Sequence, residues 1–124
     1  LIGFNRDEKT QRDTDPLAPF PEDENIYAGK DKISGGTWLG INVKAGIMVV
    51  LTNYDLVVER YGKSRGKLVK SFLSTVTYEG LSVNEYNEHI KSKLCEVLKE
   101  RQLYSAFNLL VYSIQTSTVF YICS

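Results

Sequence analysis

A chain of 124 residues with 43% hydrophobic and 24% charged content fits one globular domain with a core of its own. Its 15 Lys and Arg cancel its 15 Asp and Glu, which excludes the broad field that gathers nucleic acid or anionic lipid. No window approaches the roughly 20 apolar residues that cross a bilayer, so a transmembrane helix is excluded. Asn5-Arg6-Asp7-Glu8 breaks the opening apolar stretch too soon for a signal peptide.

Leu1 to Phe4 reads as the tail of a strand. Residues Asp7 to Asn25 are polar and hold all 3 prolines, a composition that predicts an extended loop anchored by Leu17 and Phe20. Thr37–Asn42 and Ile47–Thr52 flank the turn-sized break Lys44-Ala45-Gly46 and predict a β-hairpin. The second of these runs is apolar almost throughout, the pattern of a strand covered on both faces. Ser64 is placed to cap a helix over Arg65–Ser74. Ser82-Val83-Asn84-Glu85 has the capping-box pattern, opening a helix that runs to about Arg101. Its Val83, Tyr86, Ile90, Leu94, Val97 and Leu98 form one apolar stripe. Phe107–Ile114 and Val119–Cys123 read as two further strands. Helices against a largely antiparallel sheet are the expected α+β arrangement. The absence of an initiating Met and the apolar run reaching Cys123 lead to the expectation that residues 1–124 form a single incomplete domain.

The chemistry-bearing residues are few. The 2 cysteines, Cys95 and Cys123, have no metal-type spacing and suit buried thiols in a reducing compartment; a bridge between them is the minor alternative. His89, the single histidine, flanks the apolar stripe, a place for a surface role rather than for Ser-His or Cys-His catalysis. Arg6, Asp7 and Glu8 follow a strand directly, where either an ion-paired turn or an oriented charge cluster fits. Asn53, ending an apolar strand, forms a turn or offers its amide to an oxyanion or carbonyl. Asn108, inside an apolar strand, ties strands together or lines a site. Gly35-Gly36-Thr37-Trp38-Leu39-Gly40 precedes a strand, so it fits neither the dinucleotide nor the P-loop template. Trp38 belongs to the core or to a pocket wall. Arg65 and Lys67 place cations in a helical first turn, where a bound anion or bulk solvent would relieve the mismatch.

Taken in order, Asn5-Arg6-Asp7-Glu8, Arg12, Ala28-Gly29-Lys30-Asp31, the glycine-rich segment at 35–40, Leu51-Thr52-Asn53-Tyr54, Ser64–Val69 with Phe72-Leu73, and Phe107–Leu110 carry a family resemblance. The chain resembles the Transport and Golgi organisation 2 (NRDE-motif) family over essentially its whole length. It departs from that pattern at Lys9-Thr10 (an aromatic pair in the family), at Asp13 (Pro) and at Lys30 (Arg). The family's Cys upstream of the NRDE motif is not in this chain. The resemblance implies a four-layer αββα sandwich like that of N-terminal-nucleophile hydrolases, here partial. It implies a ligand-binding or trafficking role in Golgi and endoplasmic reticulum organisation, secretion, and lipid or haem homeostasis. Location would be intracellular: cytoplasm, Golgi or endoplasmic reticulum, or mitochondria. The ligand would be a small or lipid-like molecule such as acyl-CoA or haem, with no resident cofactor or metal. Asn5, Arg6, Asp7, Glu8, Trp38, Asn53, Arg65 and Asn108 would form the site. The alternative is an amidohydrolase or acyltransferase whose upstream Cys attacks, with Arg6 and Asp7 orienting it and Asn53 steadying the oxyanion.

Overall fold

The computed structural model describes residues 3–4, 11–54 and 62–124. Strands β1 (Thr14–Phe20), β2 (Asp23–Asp31), β3 (Leu39–Asn42) and β4 (Ile47–Asn53) come first, then helices α1 (Gly66–Thr75) and α2 (Val83–Lys99). A 3-10 turn at Arg101–Leu103 leads into β5 (Phe107–Ser113) and β6 (Thr118–Cys123). The strands form a six-stranded sheet in the order β1-β2-β3-β4-β5-β6, every neighbouring pair antiparallel. This is the α+β arrangement expected from the sequence. The helical excursion between β4 and β5 returns the chain to the next position in the same sheet.

Both helices cover one face. Strand alternation sends Ile47, Val49 and Leu51 from β4, and Phe107, Leu109 and Val111 from β5, to that side. There they meet Leu68, Val69, Phe72 and Leu73 of α1 and Tyr86, Ile90 and Leu94 of α2. Removing each such side chain from water contributes roughly 1.5–3 kcal/mol. Two buried polar anchors register the layers. Asn42 donates Nδ2 to the Leu73 carbonyl at 2.8 Å and accepts the Ala45 amide at 2.9 Å. Tyr86 donates its hydroxyl to the Ala45 carbonyl at 2.7 Å, and burial pushes its phenol up to about 12.

The structure corrects several expectations. The stretch read as loop contains all of β1 and the start of β2. Its prolines misled, because Pro16 and Pro19 sit on an edge strand, where only one side must pair. The register breaks between Asp15 and Ala18 and again between Pro19 and Phe20. Phe20 does anchor in the core, but Leu17 is 71% exposed. Gly3 and Phe4 belong to no strand; Leu1 and Ile2 lie outside the described residues. The hairpin starts at Leu39, because the Thr37 amide bonds the Gly66 carbonyl of α1 at 3.1 Å. Ser64 does not cap α1: Arg65 occupies the cap position with no side-chain bond, and Ser64 contributes its carbonyl. The capping box of α2 forms as expected, with Ser82 and Glu85 bonding reciprocally. β4 is sealed on the helix side only; Met48 and Val50 on the other side are half-buried. Cys95 and Cys123 are both free and exposed, Cys95 on the outer side of α2 and Cys123 at the end of an edge strand.

Candidate functional site

One end of the sheet collects the candidate residues Trp38, Asn53, Arg65 and Asn108, those that lie among the described residues. There β2 ends, β3 begins, β4 leaves, β5 enters and α1 starts. A carboxylate latch holds this end together. Asp31, 4% exposed, accepts from Arg12 Nε at 2.6 Å and from the backbone amides of Ile33 at 2.9 Å and Ser34 at 3.1 Å. Burial alone raises its carboxyl, yet the Ser34 amide, the Arg12 guanidinium and the Ile33 amide outweigh that and hold it below the ordinary value. The Asp31 amide bonds the Gly36 carbonyl and the Asp31 carbonyl accepts from Gly35, closing a tight turn in which Gly35 has φ 68°. Gly36 then lies against the first residue of α1: a Cβ placed there would stand 2.6 Å from the Gly66 carbonyl carbon. Several resemblance-bearing residues, Arg12, Asp31, Gly35, Gly36 and Gly66, thus build the frame of this end.

The candidate side chains sit on that frame. The Trp38 carbonyl accepts the Leu51 amide at 2.8 Å, and its half-buried ring lies beside Gly29. Asn53 is exposed at the end of β4, paired in register with Phe107. Arg65 donates Nη1 to the Ala106 carbonyl at 2.7 Å, which also accepts the Tyr54 amide at 3.2 Å. Asn108 joins three strands. It donates Nδ2 to Thr52 Oγ1 at 3.2 Å and accepts the Tyr121 hydroxyl at Oδ1 at 2.7 Å. Partial loss of hydration raises the Tyr121 phenol, and Cys123 and Tyr54 beside it add to that.

The two asparagines share an end but not a face. Register places Asn53 on the helix-side row and Asn108 on the opposite row. Thr52 and Tyr121, which orient the Asn108 amide, escaped the sequence reading, because their partnership spans 56 and 13 residues. The only signal for them was the two-residue alternation of each strand. Asn5, Arg6, Asp7 and Glu8 lie outside the described residues. A cleft of about 140 Å³ lined by Asp23, Asn42, Lys44 and Thr77 lies at the opposite end of the hairpin and contains none of the candidate residues. His89 is half-buried on α2, and its Nε2 is enclosed with no partner among the described residues.

The molecule so defined is a two-layer α+β unit, one antiparallel sheet with helices on one face and a polar cluster at one sheet end. A family model for Transport and Golgi organisation 2 matches residues 1–124. Three mammalian relatives align over 99% of the chain: the human Transport and Golgi organization protein 2 homolog at 34% identity, the bovine protein of that name at 31%, and the mouse Transport and Golgi organization 2 homolog at 32%. The chain belongs to the Transport and Golgi organisation 2 family. It spans 42% of the length of these relatives. No helix among the described residues is long and apolar enough to cross a membrane.

Proposed function

We propose that this chain contributes to a Transport and Golgi organisation 2-like carrier that holds a small or lipid-like ligand, such as acyl-CoA or haem. The carrier would act in Golgi and endoplasmic reticulum organisation, secretion, and lipid or haem homeostasis, in the cytoplasm, at those membranes or in mitochondria. The observation that supports this reading is placement: Trp38, Asn53, Arg65 and Asn108 come from separate segments and lie at one sheet end, Asn53 and Asn108 on opposite faces of it. The chain also enters β1 at that end, where Thr14 pairs with Asp31. Asn5, Arg6, Asp7 and Glu8 precede it by a few residues. In this reading Arg6 supplies the forked donor for a carboxylate or phosphate. The amide of Asn53 serves the neutral part of the ligand, while Asn108, on the opposite face, borders the site through the row it forms with Thr52 and Tyr121.

The test is calorimetric titration with palmitoyl-CoA and, separately, haem. Asn53→Ala and Arg6→Ala are each expected to weaken the bound ligand by about tenfold, the loss of one useful hydrogen bond. Unchanged affinity in both variants would refute the site.

A second reading has its own support. A sheet with helices on one side and a largely apolar opposite side is what one half of a four-layer αββα sandwich would present, and this supports the N-terminal-nucleophile hydrolase reading. On this reading an upstream Cys attacks an amide, Arg6 and Asp7 orient it, and Asn53 steadies the oxyanion. Amide turnover by a full-length family member that disappears when that Cys is replaced would favour hydrolysis over carriage.

A further inference from the structure

At the sheet end that carries the candidate residues, three neighbouring strands each bring a polar side chain to the open face, opposite the helices. Thr52 of β4 stands across from Asn108 of β5, and Asn108 stands across from Cys123 of β6, with Tyr121 two residues before it on the same face. The bonds that join them all point one way. Tyr121 donates its hydroxyl hydrogen to Asn108 Oδ1 at 2.7 Å, and Asn108 Nδ2 donates to Thr52 Oγ1 at 3.2 Å. Hydrogen donation therefore runs from β6 through β5 to β4.

That direction fixes what the row has left to offer. A hydroxyl has one hydrogen to give, and a carboxamide nitrogen has two. Tyr121 uses its hydrogen on Asn108, so its oxygen remains as an acceptor. Thr52 accepts from Asn108, and its own hydrogen has no acceptor among the described residues; nor has the second Nδ2 hydrogen of Asn108. Donors are thus collected at the β4 end of the row and an acceptor at the β6 end. The Cys123 thiol beside Tyr121 adds only a weak donor. Bonds in line polarise one another, which strengthens both ends.

We propose that the row Thr52, Asn108 and Tyr121 recognises a secondary amide of the ligand, with Thr52 and Asn108 donating to its carbonyl and Tyr121 accepting its N–H. This rests on the carrier reading of the same sheet end and adds to it the class of group that the row selects. Four bonds then close a ring: Tyr121 to Asn108, Asn108 to Thr52, Thr52 to the ligand carbonyl, and the ligand N–H back to Tyr121. Every member of that ring both donates and accepts, the arrangement in which polarisation adds around the whole circuit. Other groups leave one end unmatched. A carboxylate or phosphate brings acceptors only, and so leaves the Tyr121 oxygen facing a negative atom. An ammonium brings donors only and opposes the hydrogens at the β4 end. An ester has the carbonyl but no N–H.

The test uses a matched pair of probes, octanoylethanolamide and its ester counterpart ethylene glycol monooctanoate, which differ only in the N–H. Each is titrated into protein carrying isotope-labelled asparagine, and binding is read by NMR from the side-chain amide signals of Asn108. The amide is expected to shift those signals and to bind at least about tenfold tighter than the ester. Tyr121→Phe keeps the ring and removes the acceptor, so it should weaken the amide alone and bring the ratio to about one. Thr52→Val removes a donor to the carbonyl, which both probes possess. It should weaken both by about fivefold and leave the ratio in place. A row with only a structural role would affect the two probes alike in both variants. Dispersion of the backbone amide signals reports whether each variant folds.

An amide that binds no tighter than its ester overturns the proposal. So does a preference that survives Tyr121→Phe, and so does binding that leaves the Asn108 signals unmoved, since the amide is then held elsewhere. Wild-type protein that binds neither probe overturns it as well, and leaves the carrier reading to the separate titrations with palmitoyl-CoA and haem. Failure of those titrations beside an intact amide preference removes the carrier and keeps the row.

Discussion

Asp31 shows how a single residue sets the geometry of a site without entering its chemistry. Its buried carboxylate gathers Arg12 and two backbone amides, and these hold the turn that aims Gly36 at α1. Replacing it with Asn keeps the shape but removes the charge that strengthens those bonds. Asp31→Asn is expected to cost about 1–3 kcal/mol at neutral pH, measured by urea unfolding. The pH dependence follows from the direction of the shift. A carboxyl held below its unfolded value contributes stability above about pH 4, and that contribution is lost as pH falls through the folded value. The gap between wild type and Asp31→Asn should therefore be widest at pH 7 and should narrow below about pH 4. A gap that does not change with pH would mean that the charge is irrelevant and only the hydrogen bonds matter.

At the scale of elements, the seating of α1 depends on the absence of a side chain at Gly36. A Cβ there would lie 2.6 Å from the Gly66 carbonyl carbon, 2.9 Å from its Cα and 3.0 Å from its oxygen. All three are backbone atoms, so no rotamer change relieves the clash and the helix itself must move. Gly→Ala normally gains about 0.4–1 kcal/mol through the unfolded chain where the backbone permits it. Overpacking against backbone outweighs that gain, and Gly36→Ala is expected to destabilise by about 2 kcal/mol or more. Since Arg65 and the start of α1 border the candidate site, the same variant should also weaken ligand binding in the titrations described above. A neutral effect on both would show that α1 has room to shift.

Across the whole molecule, the strand order predicts a gradient of stability. β4 and β5 lie inside the sheet, pair over long regular registers and carry the fully buried side chains of the core. β1 lies at an edge, contains Pro16 and Pro19, and pairs with β2 through broken registers. Native-state hydrogen exchange is expected to be slowest in the amides shared by β4 and β5 and fastest among the strands in β1. Uniform protection across the sheet would contradict this order. The open face belongs to the same scale. A one-residue shift of β3, β4, β5 or β6 would move its apolar row to the helix side, so the largely apolar centre of the open face is a property of their joint register.

Much of this architecture was legible in the sequence, and the parts that were not share a physical cause. The capping box at Ser82, the stripe of α2 through Tyr86, Ile90 and Leu94 (Val83, expected in it, is exposed), the hairpin around Lys44-Ala45-Gly46 and the pair β5–β6 depend on neighbours a few residues apart, which periodicity and cap chemistry report directly. The family membership was legible too, because an ordered set of short motifs is itself a sequence property. Tertiary structure alone decided that Pro16 and Pro19 stand in a strand, since an edge position removes the need for their missing amides. It alone joined Arg12 to Asp31, 19 residues apart, and Thr52 to Asn108, 56 apart. It also set Asn53 and Asn108 on opposite faces of one sheet end. Contacts between distant residues follow from strand order and register, which the whole core selects together, and no local stretch of sequence encodes that choice.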